Sequence, residues 1–166
     1  VARRGRLPQR DVQPVSEIPG VPTELARRFT LATQDVELPG LRVSLIKPRN
    51  SDDLISEADY LRDERLPYWA DLWASSETLA SYLLEQRARL ATMPGIAAAV
   101  GAGRVPQAIE LGCGLGVPTI AAVHLGFETL ATDYYDDALL FAAHNSERTL
   151  GRRPATRMVD WYHLPA

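Results

Sequence analysis

A glycine-rich stretch, Glu110-Leu111-Gly112-Cys113-Gly114-Leu115-Gly116, constrains this chain more than any other feature. It follows a short apolar run, Ala108 to Leu111. It precedes Ile120 to Leu125, a helix-like segment with Pro118 in its first turn and Gly126 at its close. The reading is therefore strand, glycine turn, helix. Glycine allows a tight turn and lets a ligand approach without meeting a Cβ atom. The helix that follows directs free N–H groups and the positive end of its dipole at whatever binds, which favours an anion. The same glycines also suit a tight connection with no ligand, and spacing alone leaves that alternative open.

The pattern downstream repeats the alternation. Phe127 to Thr132 reads as a second strand, ending at Asp133, which falls 23 positions after Glu110. A carboxylate at that strand tip can accept both hydroxyls of a ribose. Tyr134 and Tyr135 follow, either as walls of a ribose or adenine site or as packing at the entry of the next helix. Asp136 or Asp137 opens that helix, which carries Leu139, Leu140, Ala143 and Leu150 and has Gly151 as its C-cap. Ala155 to Val159 is a third strand, ending at Asp160-Trp161. Strand, helix, strand, helix, strand predicts an α/β fold with a parallel sheet and right-handed crossovers.

The first two thirds of the chain read differently. Residues 1–28 hold Pro8, Pro14, Pro19 and Pro22 with Arg3, Arg4, Arg6 and Arg10, and predict a basic, Pro-rich flexible arm. Phe29 to Leu38 and Leu41 to Lys47 flank Pro39-Gly40 and predict a β-hairpin ended by Pro48. An acidic stretch, Asp52 to Glu64, reads as a solvent-facing loop or short helix. Pro67-Tyr68-Trp69-Ala70-Asp71-Leu72-Trp73 leads into a helix capped by Ser75 or Ser76. Leu79, Tyr82, Leu83 and Leu90 form its apolar face, and Met93-Pro94-Gly95 ends it. Residues 96–106 are rich in Ala and Gly and read as a linker with at most one helical turn, so that 29–105 form a hairpin-and-helix extension before the sheet.

Composition narrows the setting. A formal net charge of −3 gives no global attraction to nucleic acid or to an anionic membrane. No apolar run of 18 residues exists, and one cysteine, Cys113, cannot form an intramolecular disulfide. These features predict a cytoplasmic protein with no membrane partner. His124, His144 and His163 have no metal-ligand spacing.

Acidic-x-Gly-x-Gly-x-Gly resembles motif I of the class I S-adenosylmethionine (SAM)-dependent methyltransferases. A dinucleotide turn would place its third glycine where Val117 stands. Tyr68-Trp69-Ala70-Asp71-Leu72-Trp73 with Leu79-Ala80-Ser81-Tyr82-Leu83, the glycine motif and Asp160-Trp161 together resemble the seven-β-strand lysine methyltransferase-like group, also described as nicotinamide N-methyltransferase-like. The resemblance covers residues 29–166. It implies a Rossmann-like parallel sheet with flanking helices, the first half of a class I methyltransferase fold, over 106–166, with SAM as cofactor. It assigns cofactor contacts to Trp73, Glu110, Gly112, Cys113, Gly114, Gly116, Asp133, Asp160 and Trp161. An aromatic face at Trp73 can attract the sulfonium by cation–π interaction.

The implied reaction is methyl transfer to a nitrogen, of a protein lysine or a small molecule. Such families carry an acidic-x-x-Tyr element at the end of the fourth strand, and this chain ends at Ala166, just beyond the third. The expectation is therefore an N-terminal extension plus the cofactor-binding half, with no catalytic residue assigned. Two alternatives remain: an NAD(P)-binding oxidoreductase fragment, and a non-catalytic interaction protein whose incomplete sheet is finished by a partner or by a second copy at its open edge.

Overall fold

The computed structural model describes residues 20–57, 60–61, 64–160 and 162–163. Most of the expected arm lies outside them, and so does Trp161. Its last residues depart from the expectation, because Thr23–Arg28 form a helix, α1. Leu25 is buried in the main core and anchors it, and Glu24 in its first turn with Arg27 and Arg28 in its last complement the helix dipole.

The hairpin forms as expected, from β1 (Leu31–Leu38) and β2 (Leu41–Pro48), with Leu38 opposite Leu41 and Gly40 turning at φ 73°. Pro48 is the last paired residue of β2, facing Leu31, rather than a residue beyond it. Helix α2 (Ala74–Glu85) starts one residue before the expected serine caps, with Trp73 in the cap position and no side-chain cap bond. Its buried side is centred on the small Ala80, which lets α2 approach a helix of the sheet layer closely, while Leu79 and Tyr82 face outward.

The chain then breaks at Gln86 and continues as α3 (Arg87–Ala91) and α4 (Pro94–Gly101). Residues expected as a linker are thus mostly helical. Proline is tolerated in a first turn, where no intrahelical N–H is needed, so Pro94 opens α4 rather than only closing what precedes it. The alanines at 97–99 then supply the highest helix propensity of any residue.

A Rossmann-like three-stranded sheet follows: β3 (Gln107–Leu111), α5 (Val117–His124), β4 (Glu128–Asp133), α6 (Asp136–Leu150) and β5 (Ala155–Met158). Strand order is β3-β4-β5 and both pairs are parallel, as the alternation required. Gly151 closes α6 in the left-handed conformation, at φ 65°. The outer edge of β3 has no partner among the described residues, and Ile109 and Leu111 are 60% and 55% exposed.

The main core lies between the hairpin, α2, α5 and α6. At its centre Phe29, Trp69 and Phe141 meet, with ring centroids 5.3 to 6.1 Å apart. One cluster therefore joins Val36, Leu45 and Ile46 of the hairpin to Ile120 and Phe141 of the sheet layer. Among the described residues no helix is long and apolar enough to cross a membrane, and no group of His, Cys, Asp and Glu is placed to hold a metal.

Candidate functional site

The three glycines after β3 all adopt positive φ, and each for a different reason. Gly112, at φ 72°, has nothing within 4 Å of where a Cβ would stand, so its face is open. Gly114, at φ 51°, lies under the Trp69 carbonyl, 3.3 Å from a built Cβ. Gly116, at φ 85°, packs on α6 so closely that a Cβ would sit 2.7 Å from the Ala142 Cβ. Only the first leaves room for a ligand. The other two let separate layers of the fold close on the turn.

The turn is also bonded to β4. Cys113 N–H donates to the Thr132 carbonyl at 2.9 Å, and Thr132 Oγ1 donates to the Glu110 carbonyl at 2.6 Å. Asp133, 7% exposed at the tip of β4, accepts Gly114 N–H on Oδ2 at 2.9 Å and Tyr135 N–H on Oδ1 at 3.1 Å. Each carboxylate oxygen keeps acceptor capacity for a further donor. Gly116 N–H donates to the Cys113 carbonyl at 2.8 Å. The amides of Gly114 and Gly116 are thus engaged inside the protein.

Beside the turn lies a cavity of about 410 Å³, within the roughly 300–1,000 Å³ usual for small-molecule sites. One wall is Gly112, Cys113, Gly114, Gly116, Asp133 and Tyr134; the facing wall comes from residues 64–76, including Arg65, Tyr68, Asp71 and Trp73. Trp73 is half exposed, donates its indole N–H to the Tyr68 carbonyl at 2.8 Å, and meets the Tyr68 ring edge-on at 5.7 Å. Asp71 is tied to the hairpin side, accepting from Lys47 at 3.2 Å and from Ser51 at 2.6 Å.

Of the nine expected contact residues, six line this cavity: Trp73, Gly112, Cys113, Gly114, Gly116 and Asp133. Trp161 lies outside the described residues. Glu110 and Asp160 are off the cavity wall. Glu110 instead accepts a hydrogen bond from Thr119 Oγ1 on α5, and burial, with the Asp133 charge nearby, pushes its carboxyl up to about 7. Asp160 accepts from Arg65 at 3.1 Å and pairs with His163 Nδ1 at 2.7 Å; these contacts, led by His163, hold its carboxyl below the usual range. Cys113 is 2% exposed, and burial first, then the Asp133 and Glu110 carboxylates, raises its thiol far above the ordinary value. Its side chain is therefore a packed thiol and no nucleophile.

Two residues that hold the site were not singled out by the sequence reading. Asn145, fully buried on α6, accepts Ile46 N–H at 2.8 Å and donates to the carbonyls of Ile46 and Leu115, both at 3.1 Å. It completes the outer edge of β2 and fastens the glycine turn with one amide group. Arg65, in the acidic stretch's wake, stacks its guanidinium 3.5 Å from the centroid of the Tyr134 ring. Asn145 stands in a polar run, His144 to Arg148, so nothing local marks it, and nothing local marks Arg65.

No protein-family profile matches the chain. It is 33% identical over 111 residues to the electron transfer flavoprotein beta subunit lysine methyltransferase of Xenopus laevis, a match covering 67% of this chain and 39% of that protein. Among solved structures it is similar to magnesium protoporphyrin IX methyltransferase from Synechocystis PCC 6803. With bound SAH the TM-score is 0.35 at 17% identity, covering 68% of this chain and 51% of that one. With bound SAM the score and identity are the same, over 69% and 54%. The chain thus spans well under two thirds of the length of the relative to which its sequence is similar.

Proposed function

We propose that the chain is the cofactor-binding part of a SAM-dependent methyltransferase that acts on a nitrogen, of a protein lysine or of a small molecule. The observation that carries this reading is the convergence on one cavity of an open glycine, a strand-tip carboxylate and aromatic faces: Gly112, Asp133, and Trp73 with Tyr134. The similarity to a lysine methyltransferase over 111 residues supports it. The residues present fit the cofactor chemically. Asp133 keeps acceptor capacity for two ribose hydroxyls, the open face of Gly112 admits a ligand to the backbone, and the half-exposed Trp73 offers a π-face to a sulfonium. SAM, when bound, supplies an activated methyl group. The chain's own contribution is then to orient the nucleoside through Asp133 and to hold the sulfonium side against an aromatic wall, so that alignment does most of the work.

Calorimetry with S-adenosylhomocysteine and with NAD tests the reading. Binding of the first alone is expected, and Asp133→Ala should weaken it at least about tenfold, since a charge-assisted bond to a hydroxyl contributes ~1.5–3 kcal/mol. Binding of neither ligand, or of NAD alone, refutes it. Transfer of a labelled methyl group to lysine peptides, compared with the same peptides acetylated, tests the acceptor. The exposed Ile109 and Leu111 on the open edge of β3 favour a further reading, a second copy paired at that edge. Light scattering should then show a dimer that Ile109→Lys converts to monomer.

A further inference from the structure

The strap that forms one lip of the cavity, residues 64–66, is held in an unusual way. Glu64 is the one non-glycine residue with positive φ, 57°, among the described residues. A side chain in that region stays only when its surroundings hold it there. The neighbour that supplies a hold is Arg65. Its guanidinium lies 3.5 Å from the Tyr134 ring centroid and 5.2 Å from that of Tyr162, and Nη2 donates to Asp160 Oδ1 at 3.1 Å. Asp160 also accepts Tyr162 N–H at 3.1 Å. One side chain thus connects three segments: the strap, the tip of β4 at Tyr134, and the residues after β5.

Tyr134 is the link to the ligand side. It follows Asp133 directly, lines the cavity, and meets the Tyr135 ring edge-on at 5.1 Å; the Tyr135 N–H in turn holds Asp133 Oδ1. Moving Tyr134 therefore moves the turn that aims the Asp133 carboxylate. We propose that Arg65 is a positioning residue of this cavity: stacked on Tyr134 and tied to Asp160, it fixes the tip of β4 and so sets how Asp133 and Tyr134 meet the nucleoside half of a ligand. Arginine suits the task and lysine does not, because only the planar guanidinium can stack on a ring and hydrogen-bond a carboxylate in its own plane at once. The ligand half of the inference rests on the cavity being a nucleoside-cofactor site; the structural half does not.

Two measurements on the full chain separate the halves. Hydrogen exchange without ligand should accelerate about tenfold at amides 64–66, 134 and 135 in Arg65→Ala, and less in Arg65→Lys, with the α5 and α6 interiors unchanged. Unchanged exchange at these amides, or acceleration throughout β3 to β5, overturns the proposal, since Arg65 would then hold nothing or hold the whole fold. Calorimetry should show both variants binding S-adenosylhomocysteine and adenosine more weakly, by a similar factor of about ten in Arg65→Ala. Parent-like affinity in both variants overturns the positioning role. Failure of the parent chain to bind either ligand refutes the cofactor assignment instead, and the exchange result still decides whether Arg65 fixes the tip of β4.

Discussion

Replacing Asn145 by alanine tests whether one amide holds the two halves of this fold together. The side chain is fully buried and makes three hydrogen bonds, one from Ile46 N–H and two to the carbonyls of Ile46 and Leu115. Truncation leaves three buried backbone groups without that partner, each worth ~1–3 kcal/mol when unsatisfied. The space vacated admits a water, which recovers part of the loss, and alanine returns about 0.5 kcal/mol of helix propensity. The net expectation is a loss of about 3 kcal/mol, a large share of the ~5–15 kcal/mol that holds a domain of this kind folded. Urea unfolding followed by tryptophan fluorescence reads it directly, and the melting temperature should fall by roughly 6–12 °C.

Asn145→Asp makes the argument sharper. The carboxylate keeps an acceptor for Ile46 N–H but sets its second oxygen against two carbonyls that need a donor. At neutral pH this variant should be less stable than Asn145→Ala. The introduced carboxyl would have its folded-state pKa raised, so its protonated form would stabilise the fold at low pH and lose that effect as pH rises through the folded value. Stability of Asn145→Asp relative to Asn145→Ala should therefore improve from pH 8 to pH 4.5. An alanine variant within about 1 kcal/mol of the parent, or an aspartate variant that tracks alanine at every pH, refutes the reasoning.

Other positions give independent readouts. Gly116→Ala should cost ~2–4 kcal/mol, combining a left-handed backbone with a Cβ 2.7 Å from the Ala142 Cβ and 2.8 Å from its Cα; adding Ala142→Gly should recover only a minor share, because the backbone of α6 still meets the new Cβ, measured by urea midpoints of both single variants and the double. Glu110, with its carboxyl raised to about 7 in the folded state, binds its proton more tightly there than when unfolded. Its stabilising protonated form is complete below about 4.5 and lost as pH rises through about 7, so Glu110→Gln should gain on the parent by ~2–3 kcal/mol between pH 5 and pH 8 in paired unfolding titrations. Cys113, buried and held protonated, should react with a disulfide reagent about a hundredfold more slowly in the folded chain than in urea, read by thiol absorbance.

What the sequence made legible was whatever rests on local rules. The Pro39-Gly40 turn, the glycines at 112, 114 and 116, the Gly151 cap and the strand-helix alternation all follow from backbone conformation and periodicity, and each stands where those rules put it. Errors came where tertiary contact overrides a local signal. Leu79 and Tyr82 look like a core stripe, yet α2 turns Ala80 inward because close approach to α5 needs a small residue. Arg65 and Asn145 were invisible in their roles because their partners lie far along the chain, 95 positions away at Asp160 and 99 at Ile46.

The expected boundary near residue 105 also changes meaning. The sheet half has two exposed edge strands, and the apolar faces of α5 and α6 need a further layer to pack against. The hairpin supplies it, through the cluster that joins Val36, Leu45 and Ile46 to Ile120 and Phe141. The same contacts shape the cavity. The Trp69 backbone closes on Gly114, Lys47 and Ser51 hold Asp71, and Asn145 ties Ile46 to Leu115 in the turn. None of these bonds involves a ligand, so the cavity is shaped by folding and binding need not assemble it. Stability and site geometry are thus one property of this chain. A substitution that loosens the hairpin, far from Asp133, should weaken ligand binding in proportion to the stability it removes at the turn.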